Sequence, residues 1–228
     1  LRCLRLAFAL FLYIYRRQTY LHNMQIRNVI FDFGGVLIDW NPRYLYRKVF
    51  DNDEQMEYFL DNICTTEWNT CQDAGRPWSE AVALLQKQYP EYSELIALYS
   101  DRWPEMLGGA FPETVSLMRR VKEAGYHVFG LTNWSAEKFP VALERFDFLK
   151  ELEGIVVSGE EKLIKPDERI YRVLFDRYKL LPEESVFIDD NQVNITAAER
   201  LGMHAVLFDN IESVEKRLKQ LLGDKKFK

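Results

Sequence analysis

The sequence predicts an α/β domain: a parallel sheet covered by helices on both faces and interrupted once by a helical insertion. Three observations predict it. Short apolar runs recur along the chain with helical patterns between them. One long stretch after the first run carries helical patterns alone. Polar residues stand just past the ends of the apolar runs, where open α/β sheets bind ligands.

The strand candidates are "NVIFDF" (28–33), "HVFGLT" (127–132), "GIVVS" (154–158), "SVFIDD" (185–190) and "HAVLF" (204–208). They are short and continuously apolar, as expected of strands buried on both faces. In "FPETVSLMRRVKEAG", Pro112 and Glu113 suit a first helical turn and Gly125 lies just past the end, with Val115, Met118 and Val121 on one face. "KPDERIYRVLFDRY" opens with Pro166 and Asp167 and turns Ile170, Val173 and Leu174 inward. Strands alternating with helices give βαβ units and a parallel sheet.

Residues 40–107 break that alternation. They show helical segments such as "PRYLYRKVF", "EQMEYFLDNI", "WSEAVALLQKQ" and "YSELIALYSDRW", and no convincing strand. The stretch is too long for an ordinary crossover and reads as a small helical module closing over the sheet. It holds Trp40, Trp68, Trp78 and Trp103, most of them expected in the module's core and one or two in a substrate cleft.

A chain of 228 residues suffices for one core with such an insertion. Its formal net charge of −5 and the lack of a long Lys/Arg run speak against a nucleic-acid partner. Cys3, Cys64 and Cys71 are odd in number and lack metal-ligand spacing, which fits a reducing cytoplasm rather than a disulfide framework. The apolar run Leu6 to Tyr15 is flanked by arginines and is half the roughly 20 residues a membrane helix needs. No small-x-small cleavage site follows it, and Met24 stands just ahead of the first strand. Residues 1–23 are therefore expected outside the domain, as an over-extended gene start. The alternative is a membrane-surface anchor.

The polar residues at the strand ends carry the chemistry. Asp32 follows "NVIF", Thr132 and Asn133 follow "HVFGL", and Asp189 and Asp190 follow "SVFI". Lys165 precedes Pro166 after the "GIVVS" strand. One such residue is an ordinary turn or cap. Four positions in this order converge on one crevice.

With these residues the chain resembles the haloacid dehalogenase-like hydrolase superfamily over Gln25 to Leu222. The motifs are "DFGGVL", "LTN", Lys165 in "IKPDERIY", and "FIDDN". The resemblance implies a Rossmann-like core at 24–39 and 108–228 with a helical cap inserted at 40–107. "FIDDN" is similar to the branch containing α-D-glucose-1-phosphate phosphatases and epoxide-hydrolase N-terminal phosphatase domains. What it implies is a Mg²⁺-dependent phosphatase of a small phosphorylated metabolite, such as a sugar phosphate; a monomer or weak dimer is the separate expectation for its assembly.

By the same resemblance Asp32 is the nucleophile that takes the phosphoryl group. The metal would be held by Asp32, Asp190 and the main-chain carbonyl of Gly34, with Asp189 and Asn194 behind them or on coordinated water. Lys165 offsets charge on the transferring oxygens, and Thr132 and Asn133 orient them. The chemistry agrees: a covalent carboxylate intermediate splits hydrolysis into two easier steps, and a hard cation neutralises the approach of a phosphate dianion.

Gly34 departs from the pattern, because most such phosphatases carry there an aspartate that serves as general acid and base. Three explanations stand. Another group, with Asp39, a cap carboxylate such as Glu67, or water as candidates, supplies the proton; the leaving group needs little help; or the site binds phosphate without turnover. Haloacid dehalogenation is a further alternative, though those relatives carry tyrosine at that position. For substrate contacts in the cap, Trp40, Arg43, Trp68, Arg76 and Trp78 are the residues to examine.

Overall fold

The computed structural model describes residues 25–223, so the expectation for residues 1–23 lies outside the described residues. In chain order the strands are β1 (Asn28–Phe31), β2 (Ile38–Trp40), β3 (Leu107–Ala110), β4 (His127–Thr132), β5 (Gly154–Val157), β6 (Ser185–Asp189) and β7 (His204–Leu207). Helices α1 (Arg43–Tyr46), α2 (Asp53–Asn62), α3 (Thr66–Asp73), α4 (Trp78–Gln88) and α5 (Ser93–Asp101) lie between β2 and β3. The remaining ones are α6 (Pro112–Glu123), α7 (Phe139–Arg145), α8 (Ser158–Glu161), α9 (Glu168–Tyr178), α10 (Gln192–Arg200) and α11 (Ile211–Leu222).

Five strands form one parallel sheet in the order β5-β4-β1-β6-β7. Its central strand β1 is buried at every residue, which explains an apolar run without alternation. Successive β1 side chains serve opposite faces. Val29 and Phe31 join Leu117, Met118 and Val121 of α6 and Val214 and Leu218 of α11. Ile30 joins Ile170, Tyr171 and Leu174 of α9 and Ile195 and Ala198 of α10. The chain winds from β1 out to β5 and then returns to β6 on the other side. The reversal falls beside β1, and a crevice opens there at the carboxyl ends.

Local signals set the helix starts. The side chains of Asn52, Thr65, Asp167, Asn191 and Asn210 each accept a main-chain N–H in a first turn. Pro112 occupies the first turn of α6 as the sequence suggests. Pro166 does not open α9: Asp167 is the cap and the helix begins at Glu168. Val173 is half-buried, while Tyr171 and Phe175 share the inner face with Ile170 and Leu174.

The stretch read as free of strands is bounded by an antiparallel ribbon in which Ile38 pairs with Ala110 and Asp39 with Gly109. Main-chain bonds from Asn41 to Met106 and from Phe111 to Leu37 continue it. Between its strands the five helices pack on an aromatic cluster. Trp68 meets Tyr99 edge-on at 5.1 Å, and Trp78 stacks on Tyr99 at 5.8 Å. Several bonds tie these helices to the sheet side, among them the following three. Trp78 Nε1 donates to Ser135 Oγ at 2.8 Å, Ser158 Oγ to the Asp73 carbonyl at 2.6 Å, and Lys138 Nζ to the Ser100 carbonyl at 2.9 Å. Among the described residues no helix is long and apolar enough to cross a membrane.

Candidate active site

The ladder between β1 and β6 builds the centre of the site. Phe31 pairs with Ile188, so the residues that follow, Asp32 and Asp189, emerge side by side. The Asp32 N–H donates to the Ile188 carbonyl at 2.9 Å, and Asp32 Oδ1 accepts from the Phe33 N–H at 2.7 Å. Lys165 Nζ reaches across both acids, 2.8 Å from Asp32 Oδ1 and 2.6 Å from Asp189 Oδ2. Its side chain is only 1% exposed. Such an ammonium is stable in the interior only because two carboxylates flank it. Burial works against its charge, yet Asp32 and Asp189 together hold its pKa above the ordinary value.

Asp189 is fully buried and committed. Besides Lys165 it accepts from the Asn191 N–H at 2.8 Å and from Asn194 Nδ2 at 3.0 Å. Asp190 is exposed and takes no hydrogen bond from another side chain among the described residues. Asp32, Asp189 and Asp190 each offer an oxygen within 4.8 Å of the others. Although the residue is exposed overall, partial desolvation of the Asp190 carboxyl, and then Asp189, pushes it above its ordinary value. Burial does the same at Asp32 against the pull of Lys165, with Asp189 adding to the rise. Three acids share one ammonium, leaving two formal negative charges in a confined space. This hard all-oxygen set fits a divalent cation such as Mg²⁺.

The turn after β1 is shaped for that cluster. The Phe33 carbonyl accepts from the N–H groups of Val36, Leu37 and Ile38, folding the chain back sharply. Gly35 sits at φ +74, and a Cβ there would lie 2.2 Å from Asp190 Oδ2. Glycine is required at that position by both backbone and neighbour. Gly34 is different: its φ is not left-handed, and a Cβ there would meet nothing within 4 Å.

Above the cluster lies a cavity of about 320 Å³ between the sheet ends and the inserted helices. Asp32, Gly34, Asn133, Lys165, Asp190 and Asn194 line it from the sheet side. Trp40, Thr66, Asn69, Thr70, Asp73 and Trp103 line it from the insertion, and Trp134 also borders it. Trp40 Nε1, Trp134 Nε1 and Asn69 Oδ1 are buried without a partner, as is the Thr132 hydroxyl at the end of β4. Asn133 holds the Lys165 segment: its Nδ2 donates to the Lys165 carbonyl at 3.0 Å, and its Oδ1 accepts from the Lys165 N–H at 2.8 Å.

The structure thus gathers Asp32, Gly34, Asn133, Lys165, Asp189, Asp190 and Asn194 at one crevice, with Thr132 at its edge. Other expected contacts fall elsewhere. Arg43 is paired with Glu57, Arg76 bonds Gln72 and the Trp68 carbonyl, and Trp68 and Trp78 belong to the aromatic cluster. Of those five side chains Trp40 alone borders this cavity. Asp39 accepts from the Tyr44 hydroxyl at 2.6 Å and packs against Gly108, outside the lining. Glu67 is exposed and also outside it.

Of the four tryptophans from which one or two were expected in a cleft, Trp40 and Trp103 border the cavity; the sequence reading missed Asp73, Asn69, Thr66, Thr70 and Trp134 as cavity residues. Asp73 closes α3, where a negative charge opposes the helix dipole. A local conflict of that kind is a signal that sequence alone carries. Burial pushes the Asp73 carboxyl up to about 7.

Comparison with known proteins places this geometry in context. Residues 29–208 match the family model described as haloacid dehalogenase-like hydrolase. The mouse acyl-CoA dehydrogenase family member 10 is 28% identical over 91% of the chain, which spans 20% of that relative's length. A sesquiterpene phosphatase of Aspergillus oryzae is 26% identical over 85% of the chain and 95% of its own length. The (S)-2-haloacid dehalogenase 1 of a Pseudomonas species is 28% identical over 82% of the chain and 86% of its own length. A predicted HAD-like hydrolase from Porphyromonas gingivalis superposes with a TM-score of 0.66 at 25% identity, covering 87% of this chain and 98% of that one. A HAD family enzyme of Bacteroides thetaiotaomicron, solved with magnesium and inorganic phosphate, shares the fold at a TM-score of 0.59 and 21% identity, over 80% of this chain and 93% of that one.

Proposed function

The chain belongs to the haloacid dehalogenase-like hydrolases, and we propose that it is a Mg²⁺-dependent phosphatase acting on a small phosphorylated metabolite through an aspartyl phosphate at Asp32. The observation that carries this reading is the charge of the crevice. Asp32, Asp189 and Asp190 outnumber the single ammonium of Lys165 by two. A divalent cation balances that excess and lets a phosphate dianion approach a carboxylate nucleophile. Asp190, free of side-chain partners, and Asp32 would hold the cation with the Gly34 carbonyl, while Asp189, already bonded to Lys165 and Asn194, stands behind them.

The chain's own groups then divide the work. An Asp32 oxygen attacks phosphorus in line with the departing oxygen. Lys165 stabilises charge on the transferring oxygens, and the unpartnered Thr132 hydroxyl has a bond to give them. Asn133 keeps Lys165 in place. The helical insertion at 40–107 acts as a cap over a core at 24–39 and 108–228. Its tryptophans and the free Asn69 Oδ1 suit an uncharged leaving group with both apolar surface and hydroxyls, of which a sugar phosphate is one class.

A haloacid fits less well. Gly34 stands where the haloacid dehalogenases that the chain resembles carry tyrosine, and a haloacid gives the excess of two carboxylates over Lys165 no role. The test is release of p-nitrophenol from p-nitrophenyl phosphate with Mg²⁺ or EDTA, beside halide release from a 2-haloacid. Mg²⁺-dependent phosphatase activity without halide release is expected. Halide release without phosphatase activity would replace this reading with dehalogenation, and neither activity would leave a phosphate-binding protein.

A further inference from the structure

A phosphatase with glycine at position 34 lacks a proton donor beside its nucleophile, and the cavity supplies one from its other wall. Among the cavity's lining residues the carboxyl groups are Asp32, Asp190 and Asp73. The first two belong to the anionic cluster. Asp73 comes instead from the end of α3, on the cap. Resting on the phosphatase reading above, we propose that Asp73 is the general acid that protonates the leaving oxygen and the general base that activates the water.

Its setting suits both steps. The Asp73 carbonyl is fixed by Ser158 Oγ at 2.6 Å, anchoring the helix end to the sheet side. Asn69 Nδ2 donates to Asp73 Oδ2 at 3.1 Å, which orients the carboxyl. The Ser135 N–H also bonds this carboxyl. Among the described residues no Lys or Arg helps to hold the carboxyl ionised, and the phenol of Tyr99 is a titratable group that feels its charge. Burial therefore favours the neutral acid near pH 7, the protonation state a donor requires. The other candidates are accounted for. Lys165 is held by two carboxylates, Asp39 by Tyr44, and Glu67 lies outside the cavity. Thr66, Thr70 and the three indoles of Trp40, Trp103 and Trp134 lack the acidity.

The reaction balances on these groups. An Asp32 oxygen forms a bond to phosphorus as the bond from phosphorus to the ester oxygen breaks, and the Asp73 proton passes to that oxygen to give the free alcohol. Asp73, now a carboxylate, takes a proton from water as the water oxygen attacks phosphorus. The bond to Asp32 breaks, inorganic phosphate leaves, and both acids return to their starting states.

The experiment compares the full chain with Asp73→Asn, in saturating Mg²⁺, on phosphate monoesters from p-nitrophenyl to simple alkyl. In wild type kcat/KM depends shallowly on leaving-group basicity. In Asp73→Asn it falls roughly 10²- to 10⁴-fold on alkyl phosphates and much less on p-nitrophenyl phosphate, while an unchanged thermal unfolding transition reports an intact fold. The variant also shows a burst of p-nitrophenol followed by a slow phase, because the aspartyl phosphate waits for an unactivated water. In a second variant, Gly34→Asp on the Asp73→Asn background, the new carboxyl enters open space and restores alkyl turnover. An equal loss on all esters, or no loss on any, overturns the assignment while the phosphatase reading stands. A wild type inactive on every ester overturns both.

Discussion

Replacing Lys165 by methionine tests whether the buried charges depend on one another. Methionine keeps most of the side chain's length and removes only its charge. Lys165 Nζ lies between Asp32 and Asp189, 2.8 and 2.6 Å from them, with its side chain 1% exposed, and is the sole ammonium there among the described residues. Breaking a buried ion pair by removing one partner costs about 3–5 kcal/mol, a large part of the roughly 5–15 kcal/mol that holds a domain folded. The two acids do not share the loss evenly. Asp189 keeps bonds from Asn191 and Asn194, whereas Asp32 keeps only the Phe33 N–H. Most of the loss should therefore trace to Asp32. Urea unfolding in EDTA should show Lys165→Met destabilised by about 3–5 kcal/mol, with Asp32→Asn in the same chain recovering most of it. Saturating Mg²⁺ should recover part of it in the single variant by supplying positive charge. A metal-free loss below about 1 kcal/mol, or no recovery from Asp32→Asn, would refute the reasoning.

Further outcomes follow from the same geometry. Gly35→Ala forces a Cβ to within 2.2 Å of Asp190 Oδ2 at a left-handed φ of +74, so it should lose at least about 1 kcal/mol of stability and weaken Mg²⁺ binding, measured by unfolding and calorimetry. Asp190→Asn should raise the Mg²⁺ concentration needed for half-maximal activity with little change in metal-free stability. Asp189→Asn should do the reverse, because its carboxylate anchors Lys165 and Asn194; the opposite order would exchange their roles. Asp73 has an acid pKa raised from 3.8 to about 7, so between those values the folded protein holds a proton that the unfolded chain has lost. Its contribution to stability is therefore full below pH 4 and falls as pH rises through 7, by up to a few kcal/mol, and Asp73→Asn should remove that slope from unfolding free energies measured across the range.

Much of the sheet can be read directly from sequence because its strands are buried on both faces and so appear as unbroken apolar runs. The β2–β3 ribbon cannot. "IDW" is too short for alternation to register, and "LGGA" carries two glycines that weaken any strand signal. The strand-end residues Asp32, Thr132 and Asp189 are legible for a topological reason: parallel strands place their carboxyl ends on one edge, so residues far apart in sequence meet there. Cap residues have no such rule. Asp39 is near Asp32 in sequence, yet its strand turns the carboxylate toward Tyr44. Asp73 stands 41 positions after Asp32 and joins the cavity because Ser158 ties the end of α3 to the sheet side. Its raised pKa comes from desolvation, a property of packing that no local pattern encodes.

The account rests on a covalent phosphoryl group at Asp32. Turnover of p-nitrophenyl phosphate in Mg²⁺ with hydroxylamine present tests it directly, since hydroxylamine captures an acyl phosphate as a stable hydroxamate that peptide mass spectrometry locates. The account predicts a hydroxamate on Asp32, enriched in Asp73→Asn and absent both from Asp32→Asn and from enzyme in EDTA. Full turnover with Asp32 unmodified, or a hydroxamate on a different carboxylate, would contradict it.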